Sequence, residues 1–310
     1  MRWLNRVHGR VVRAVERVEV REPVLAVGRS LLALSTLATI LFSADDALFP
    51  QTSEYPSGTR CAGVRALSMW CAANPDTAGS TVCRVLAVVV LAVTASGFRP
   101  AWTCVPHWYV TFSLTVAMPA SNGGDHIAMI TTMLLLPLCL GDDRRWQWSA
   151  VDRPLPARWG GSALAAHLAL RGQVLVVYGE AALSKLSDPL WRQGSALRVI
   201  SRLPQYGFPP PLRDLLEPVL TSYWPVALLG WSVIAVQLVI AASMTAPRVF
   251  RVVALVAGGL LHLGIVVLMN LTSFGSTMIA VLLVACVRTA RPERTRVVPE
   301  ERVASRWSPR

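Results

Sequence analysis

Residues 223–243 read YWPVALLGWSVIAVQLVIAAS and contain no charged side chain. A helix needs roughly 20 mostly apolar residues to cross the hydrocarbon core of a bilayer, where only a helix or a closed barrel satisfies its own backbone. This stretch therefore predicts a membrane-spanning helix. A short connection with Arg248 and Arg251 follows it, then two more apolar runs and an arginine-rich tail.

The same pattern recurs along the chain and predicts an all-α, polytopic membrane helix bundle of about eight transmembrane helices. The predicted spans are residues 24–43, 81–98, about 102–120, about 126–141, 161 to about 186, 223–243, 249 to about 268 and 272–287. The third, fourth and eighth spans are short or interrupted, so counts of seven and nine stay open.

Composition agrees with a lipid environment. Of the 310 residues 53% are hydrophobic and 15% are charged, which differs from soluble domains. The formal net charge of +12 is a property of many nucleic-acid-binding proteins. Here, however, the arginines are concentrated in the tails and in connections between apolar runs, which is a membrane-topology pattern and predicts no nucleic-acid partner.

The arginines also predict the orientation of the chain in the cell membrane, because positively charged connections stay on the cytoplasmic side. Both tails are arginine-rich, so both termini are predicted to be cytoplasmic, which requires an even number of spans. Residues 187–221 carry four arginines on the predicted outer side, against the rule. Their run of three prolines, residues 209–211, suggests a folded re-entrant or surface segment.

Three regions follow from this topology. Residues 1–23 form a basic cytoplasmic N-terminal segment, interpreted either as a surface helix on an anionic membrane face or as a disordered basic tail. Residues 24–287 form the transmembrane domain. Residues 288–310 are rich in Arg, Pro and Glu and predict a disordered basic cytoplasmic tail.

Six cysteines are distributed unevenly. Cys61 and Cys71 share one polar loop on the predicted outer side, and we expect them to form a disulfide because that side is oxidising. The other four lie in or beside apolar runs and are interpreted as buried small hydrophobic residues: Cys83, Cys104, Cys139 and Cys286.

Lys185 is the only lysine among 30 basic residues, and the other 29 are arginine. An arginine cannot lose its proton at accessible pH, whereas a desolvated lysine can. The predicted topology brings His126 and Lys185 to the same outer side, where a histidine beside an amine in a partly dry pocket favours general-base chemistry. A capping histidine and a lysine reaching for the headgroups are the structural alternative.

Other ionisable residues fall within predicted spans, where they are costly and need partners. They are either functional or paired structurally inside the bundle: Arg29, His167, Arg171, Glu180 and His262. Four histidines scattered over four spans have no ligand spacing, so no metal site is predicted. Nucleotide-binding, zinc-protease and thioredoxin-like motifs are absent from the sequence.

Three blocks of this sequence resemble the family of vitamin K-dependent gamma-carboxylase and its bacterial relatives, the horizontally transferred transmembrane domain proteins. The first block is His126 followed after one span by RWQWSAVD at residues 145–152, and the third is HLGIVVLMNLTSFGSTM at residues 262–278. The second block runs from residue 178 to 194 and is the most specific. It contains Ala182, Lys185, Leu186, Trp191 and Gly194.

The resemblance implies a membrane enzyme, carboxylase-like (a carbon–carbon lyase) or otherwise quinol-dependent, with Lys185 as the base and His126 as its partner. It implies a quinol of the vitamin K or menaquinol type, or an exported peptide, as substrate. Substrate binding is assigned to Trp191, Tyr178, His262 and Arg171. The chain lacks the large lumenal domain of the animal enzyme, which argues against gamma-glutamyl carboxylation.

Short bacterial members of the same family give a second interpretation. They include proteins similar to the sporulation-delaying protein B, which help to mature an exported peptide toxin, and the short chain and the Cys61/Cys71 loop fit that branch. On this interpretation the protein is a non-enzymatic maturation or export partner of a secreted peptide. A third hypothesis, a small-solute transporter using Arg171, Glu180 and His262, lacks the inverted repeats of such proteins.

Overall fold

The computed structural model describes residues 19–73, 77–151 and 155–287, and the described residues contain helices but no strand. The predicted N-terminal helix and C-terminal tail lie almost wholly outside these ranges. Eight long helices are numbered here in chain order. They are α1 (Pro23–Phe42), α2 (Thr77–Ser96), α3 (Pro100–Ala117), α4 (Gly123–Leu140), α5 (Ala157–Ser187), α6 (Tyr223–Ser243), α7 (Arg248–Met269) and α8 (Thr272–Cys286).

The eight helices coincide with the eight predicted spans, and a polytopic helical bundle is confirmed. Six of them are long and apolar enough to cross a membrane: α1, α2, α4, α5, α6 and α7. The other two fall short in different ways. Helix α3 has 18 residues, but Pro106 and His107 make it less apolar, and α8 has only 15 residues.

The short helix α8 lies at the centre of the bundle. It packs against α1, α4, α5 and α7, and most of its residues are buried. A helix enclosed by protein does not have to match the bilayer thickness, because other helices and not lipid surround its ends. Glycines let its neighbours approach closely. A Cβ on Gly28 of α1 would lie 2.7 Å from the Val284 side chain, and a Cβ on Gly258 of α7 would lie 2.5 Å from the Leu282 side chain.

The helices from α1 to α7 each pack against the next one along the chain, and the connections between them lie alternately at two ends of the bundle. We call the end with residues 43–73 and 188–222 the disulfide end, and the end with residues 97–99, 141–151 and 244–247 the arginine-rich end. Backbone hydrogen bonds between Arg99 and Arg145 and between Gln147 and Gly97 join two connections at the arginine-rich end.

Cys61 and Cys71 form the predicted disulfide, and the other four cysteines are free and buried as predicted. The loop that holds the disulfide packs onto the end of α3: Arg60 N donates to Ala117 O at 2.9 Å, and Ser68 Oγ donates to Ser113 O at 2.8 Å. Because disulfides persist in oxidising compartments, this end fits the outer side of the membrane.

Residues 188–222 are folded, in agreement with the surface segment expected from the proline run. They contain short helices Pro189–Arg192 and Ala196–Ile200 and the amphipathic helix Pro210–Thr221. Two of their arginines hold the segment together. Arg198 donates to the carbonyls of Leu220 and Thr221, and Arg202 pairs with Glu217 at 2.9 Å. These contacts give a structural role to two of the four arginines on the predicted outer side.

Arg29 of α1 is one predicted intramembrane candidate for which the structure gives a structural role. It is 2% exposed and donates to Gln147 Oε1 at 2.8 Å and to Thr103 Oγ1. The amide of Gln147 in turn donates to Ser30 Oγ and Ala26 O of α1. Neutral oxygens therefore satisfy this buried guanidinium and tie α1 to α3 and to the α4–α5 connection.

Candidate functional site

Three of the predicted site residues lie on one face of α5. Arg171, Tyr178 and Lys185 are spaced by seven residues, which is close to two helical turns, so they follow one another along the helix about 10 Å apart. Because α5 runs from the arginine-rich end to the disulfide end, Arg171 is nearest the arginine-rich end and Lys185 is nearest the disulfide end. The sequence contains this spacing, but only the helix boundaries reveal that one continuous helix carries all three.

Lys185 lies at the disulfide end, half-buried against Trp191. Its Nζ is 5.2 Å from the centroid of the Trp191 ring and donates to Ala181 O at 3.2 Å. A cation over an aromatic face is stabilised by the quadrupole of the ring. Asp188, the carboxylate closest in sequence, accepts from Leu190 N instead, and Lys185 forms no ion pair within the described residues.

The turn after α5 fixes Trp191. The Trp191 carbonyl accepts from the indole Nε1 of Trp231 on α6 at 3.1 Å. Gly194 closes the turn with a φ of 73°, and a Cβ there would come within 2.3 Å of the Ala227 side chain. Only glycine fits this left-handed position at such close approach. The spacing of Lys185, Trp191 and Gly194 thus has a structural reason, which is to hold an aromatic face under the ammonium group.

Tyr178 and His262 meet in the centre of the bundle, although the sequence predicted them only as separate residues. The Tyr178 hydroxyl lies 2.6 Å from His262 Nε2, and the two residues are 2% and 3% exposed. Phe274 of α8 packs edge-on against the His262 ring. His262 Nδ1 is buried and forms no hydrogen bond within the described residues. This pair joins α5 to α7 beside the central helix.

His126 lies in the first turn of α4, after a reciprocal capping box formed by Asn122 and Asp125. The imidazole is exposed, and its Nε2 lies 3.1 Å from Ser121 Oγ. It therefore has the environment of a residue beside a helix cap and not that of a residue in a dry pocket.

Hydrogen bonds between α4 and α5 show that His126 and Lys185 lie at different depths. The amide of Gln173 accepts from Thr131 Oγ1 and donates to Ile127 O, both at 3.3 Å, so Gln173 is near the level of Thr131. At about 1.5 Å per residue, Lys185 lies roughly 18 Å beyond Gln173 and His126 roughly 8 Å beyond Thr131. By this alignment the Cα atoms of His126 and Lys185 differ by roughly 10 Å along the bundle axis, and no hydrogen bond joins their side chains within the described residues.

Arg171 faces the arginine-rich end, away from Lys185 and Trp191. Its Nε donates to Ala285 O and its Nη2 to Val287 O, both at 3.2 Å, at the C-terminus of α8. Glu180, which the transporter hypothesis placed on the same pathway as Arg171 and His262, is exposed and forms no ion pair in the described part of the chain. The four predicted substrate-binding residues thus occupy three depths of the bundle.

An apolar cavity at the disulfide end was not predicted from the sequence. It has a volume of about 400 Å³ and lies between α6, α7 and the amphipathic helix. Leu216, Leu220, Leu229, Val233, Leu261 and Leu268 line it, with Gly264 of α7 at its wall. This volume is within the range of ligand-binding cavities, which are mostly apolar. No group of three or more His, Cys, Asp or Glu residues within the described ranges is arranged to hold a metal ion.

Comparison with known proteins identifies relatives along almost the whole chain. The chain is 30% identical over 279 residues to the uncharacterized protein YitO of Bacillus subtilis, covering 88% of this chain and 89% of YitO. It is also 30% identical over 260 residues to the sporulation-delaying protein SdpB of the same organism, covering 84% of this chain and 79% of SdpB. The chain belongs to the SdpB family.

Membership in the SdpB family confirms one branch of the resemblance stated above and leaves the other as an interpretation of three motifs. No family model matches the chain, so the wider assignment to the gamma-carboxylase family is not shown. No solved structure matches it either.

Proposed function

We propose that this chain is a non-enzymatic partner in the maturation or export of a secreted peptide and acts at the outer face of the cell membrane. The observation that carries the proposal is the kinship with the sporulation-delaying protein SdpB over 84% of the chain. The disulfide supports the outer face as the place where the protein acts, because a disulfide-bonded loop belongs on the oxidising side of the membrane.

The apolar cavity is the proposed binding place for an apolar segment of that peptide. Its lining contains a single polar side chain, Ser232, whose hydroxyl already donates to Leu229 O. The amphipathic helix Pro210–Thr221 forms one wall and lies over the bundle at the disulfide end. A peptide leaving the bilayer there would exchange lipid for a protein surface of similar polarity.

The geometry favours a partner over a quinol enzyme. A quinol site on the family pattern uses His126 and Lys185 together, whereas His126 contacts Ser121 beside the cap of α4 and Lys185 donates to Ala181 O within α5. The quinol stays a prediction of the resemblance, and we assign no reaction step to it.

One observation keeps lysine-base chemistry as a second candidate function. The Lys185 ammonium is half-buried against Trp191 and has no carboxylate partner within the described residues. Glu180 lies within electrostatic range of Lys185 but forms no ion pair with it, and a partly desolvated amine gives up its proton more readily than an exposed one. On this alternative, Lys185 would act on the peptide alone, without His126.

A cavity-filling variant tests the main proposal. Gly264 lines the cavity, and a Cβ at Gly264 would meet nothing within 4 Å, so Gly264→Leu fills the cavity without a backbone clash. Gly259 lies on the same helix, also faces open space and does not line the cavity, which makes Gly259→Leu a matched control.

Each variant would be expressed at equal membrane abundance in a strain that lacks the gene, and peptides in the medium would be identified by mass spectrometry. We expect the deletion and Gly264→Leu to lose the same secreted peptide and Gly259→Leu to restore it. An unchanged set of secreted peptides in the deletion strain would refute the proposed function. Restoration by Gly264→Leu would refute the role of the cavity.

A further inference from the structure

Three basic side chains meet around the last turn of α8 at the arginine-rich end. Arg171 of α5 donates to the carbonyls of Ala285 and Val287. Arg251 of α7 lies beside the same turn, where its backbone carbonyl accepts from Cys286 Sγ at 3.4 Å, and its guanidinium Nη1 donates to Ala246 O at 2.6 Å. His167 is one helical turn before Arg171 on α5, within electrostatic range of both guanidinium groups.

This basic cluster, defined as His167, Arg171 and Arg251, contains three buried nitrogens without a hydrogen-bond partner in the described part of the chain. Both ring nitrogens of His167, which is 0% exposed, and Nε of Arg251 are buried and form no hydrogen bond within the described residues. No carboxylate in residues 19–73, 77–151 or 155–287 forms an ion pair with either arginine. Uncompensated charge and unsatisfied donors at this depth are costly, so a counter-anion would stabilise the cluster.

The surface next to the cluster is apolar and faces outward. Leu168 and Leu175 lie one helical turn before and after Arg171 on α5 and are 53% and 36% exposed. In a membrane-spanning bundle such side chains contact lipid tails. A ligand of this cluster can therefore place a charged group on the arginines and an acyl chain along the neighbouring helices.

We propose that His167, Arg171 and Arg251 bind the phosphate group of an anionic phospholipid from the leaflet at the arginine-rich end. Basic pockets between transmembrane helices on the cytoplasmic side are suited to anionic headgroups. The forked guanidinium donors match phosphate oxygens, and charge-assisted hydrogen bonds of this type are stronger than neutral ones. A soluble phosphate would use the same donors but not the apolar surface.

Lipid binding by the purified full-length protein in detergent tests the proposal. Phosphatidylglycerol, phosphatidylcholine and inorganic phosphate would each be titrated and followed by native mass spectrometry. We expect wild type to bind phosphatidylglycerol at least about tenfold more tightly than phosphatidylcholine, as for a charge-assisted contact. Arg251→Gln should lose this preference. Arg192→Gln, which removes an exposed arginine at the disulfide end, should keep it.

A second variant separates binding from folding. If His167 contacts phosphate, His167→Leu weakens the preference for phosphatidylglycerol while it raises the melting temperature of the lipid-free protein, because two unsatisfied nitrogens leave the core. An unchanged preference in either His167→Leu or Arg251→Gln would overturn the proposal. Displacement of the lipid by low millimolar inorganic phosphate would overturn the lipid assignment and identify a soluble anion as the ligand.

Discussion

Arginines at the two ends of the bundle have different partners. At the disulfide end, Arg198 and Arg202 are held by carbonyl and carboxylate oxygens of their own segment, residues 188–222. At the arginine-rich end, Arg144 pairs with Asp142 at 2.7 Å, but the basic cluster has no carboxylate within the described residues. The number of arginines at an end predicts which side of the membrane that end faces. The partners of each arginine indicate whether it holds the fold together or is available to bind a ligand.

The largest effect concerns the sidedness of the two ends. We expect reporter fusions at Met1 and Arg310 to show cytoplasmic activity only, and a reporter inserted beside Gly63 in the disulfide loop to show export-dependent activity only, because positively charged connections stay inside. A Cβ at Gly63 would meet nothing within 4 Å, so the loop has room for an insertion. Export-dependent activity at either terminus would contradict the cytoplasmic placement of the arginine-rich end. The disulfide end could then no longer be assigned to the outer side, where the protein is proposed to act.

Lys185 should separate the two candidate functions at the disulfide end. A binding role needs a cation over the Trp191 ring, which arginine also supplies, so Lys185→Arg should keep most of the peptide secretion that Lys185→Ala loses. A base role needs a group that can deprotonate, so both variants should then lose activity by about a hundredfold or more. Secretion of the peptide at equal membrane abundance is the measurement. Equal and complete losses would favour the lysine-base candidate over the proposed function.

How far the sequence predicts this molecule depends on whether a feature is local. The spans were predictable because each is a run of apolar residues, and the disulfide because Cys61 and Cys71 share one loop on one predicted side. The boundaries were less accurate: α2 begins at Thr77 and not at residue 81, and α5 begins at Ala157 and not at residue 161.

Features that depend on packing between helices were not predictable in the same way. Tyr178 and His262 are 84 residues apart, and nothing in either helix indicates that they share a hydrogen bond. The depth of Lys185 relative to His126 depends on how α5 is aligned with α4, which Gln173 reveals only in the structure. The apolar cavity arises between three elements, and its lining residues look like ordinary lipid-facing residues in the sequence.

A smaller effect tests the turn that positions Trp191. Gly194→Ala introduces a side chain at a φ of 73° against Ala227 and should destabilise the protein by about 1–3 kcal/mol or more. Gly172→Ala is the matched control in the middle of α5, where a Cβ meets nothing, and should be neutral or stabilise by up to about 1 kcal/mol. Thermal unfolding in detergent compares the two. Equal melting temperatures would mean that the turn is not constrained as the structure shows.

The smallest effect distinguishes the two arginines of the 188–222 segment. Arg202 and Glu217 form a pair whose side chains are 53% and 42% exposed, and such pairs contribute less than about 1 kcal/mol. Arg198 instead donates to the carbonyls of Leu220 and Thr221 at the C-terminus of the amphipathic helix, where a cation also complements the helix dipole. Its loss should therefore cost about 1–2 kcal/mol of local stability.

Limited proteolysis of the folded protein measures this local stability, because cleavage follows the transiently open state of the segment. We expect Arg198→Gln to be cleaved within residues 188–222 several times faster than wild type and Arg202→Gln at nearly the wild-type rate. Faster cleavage of Arg202→Gln than of Arg198→Gln would mean that the exposed ion pair holds the segment. The amphipathic helix that forms one wall of the apolar cavity would then be held by an exposed ion pair. Its local stability would fall with added salt, because salt screens exposed pairs.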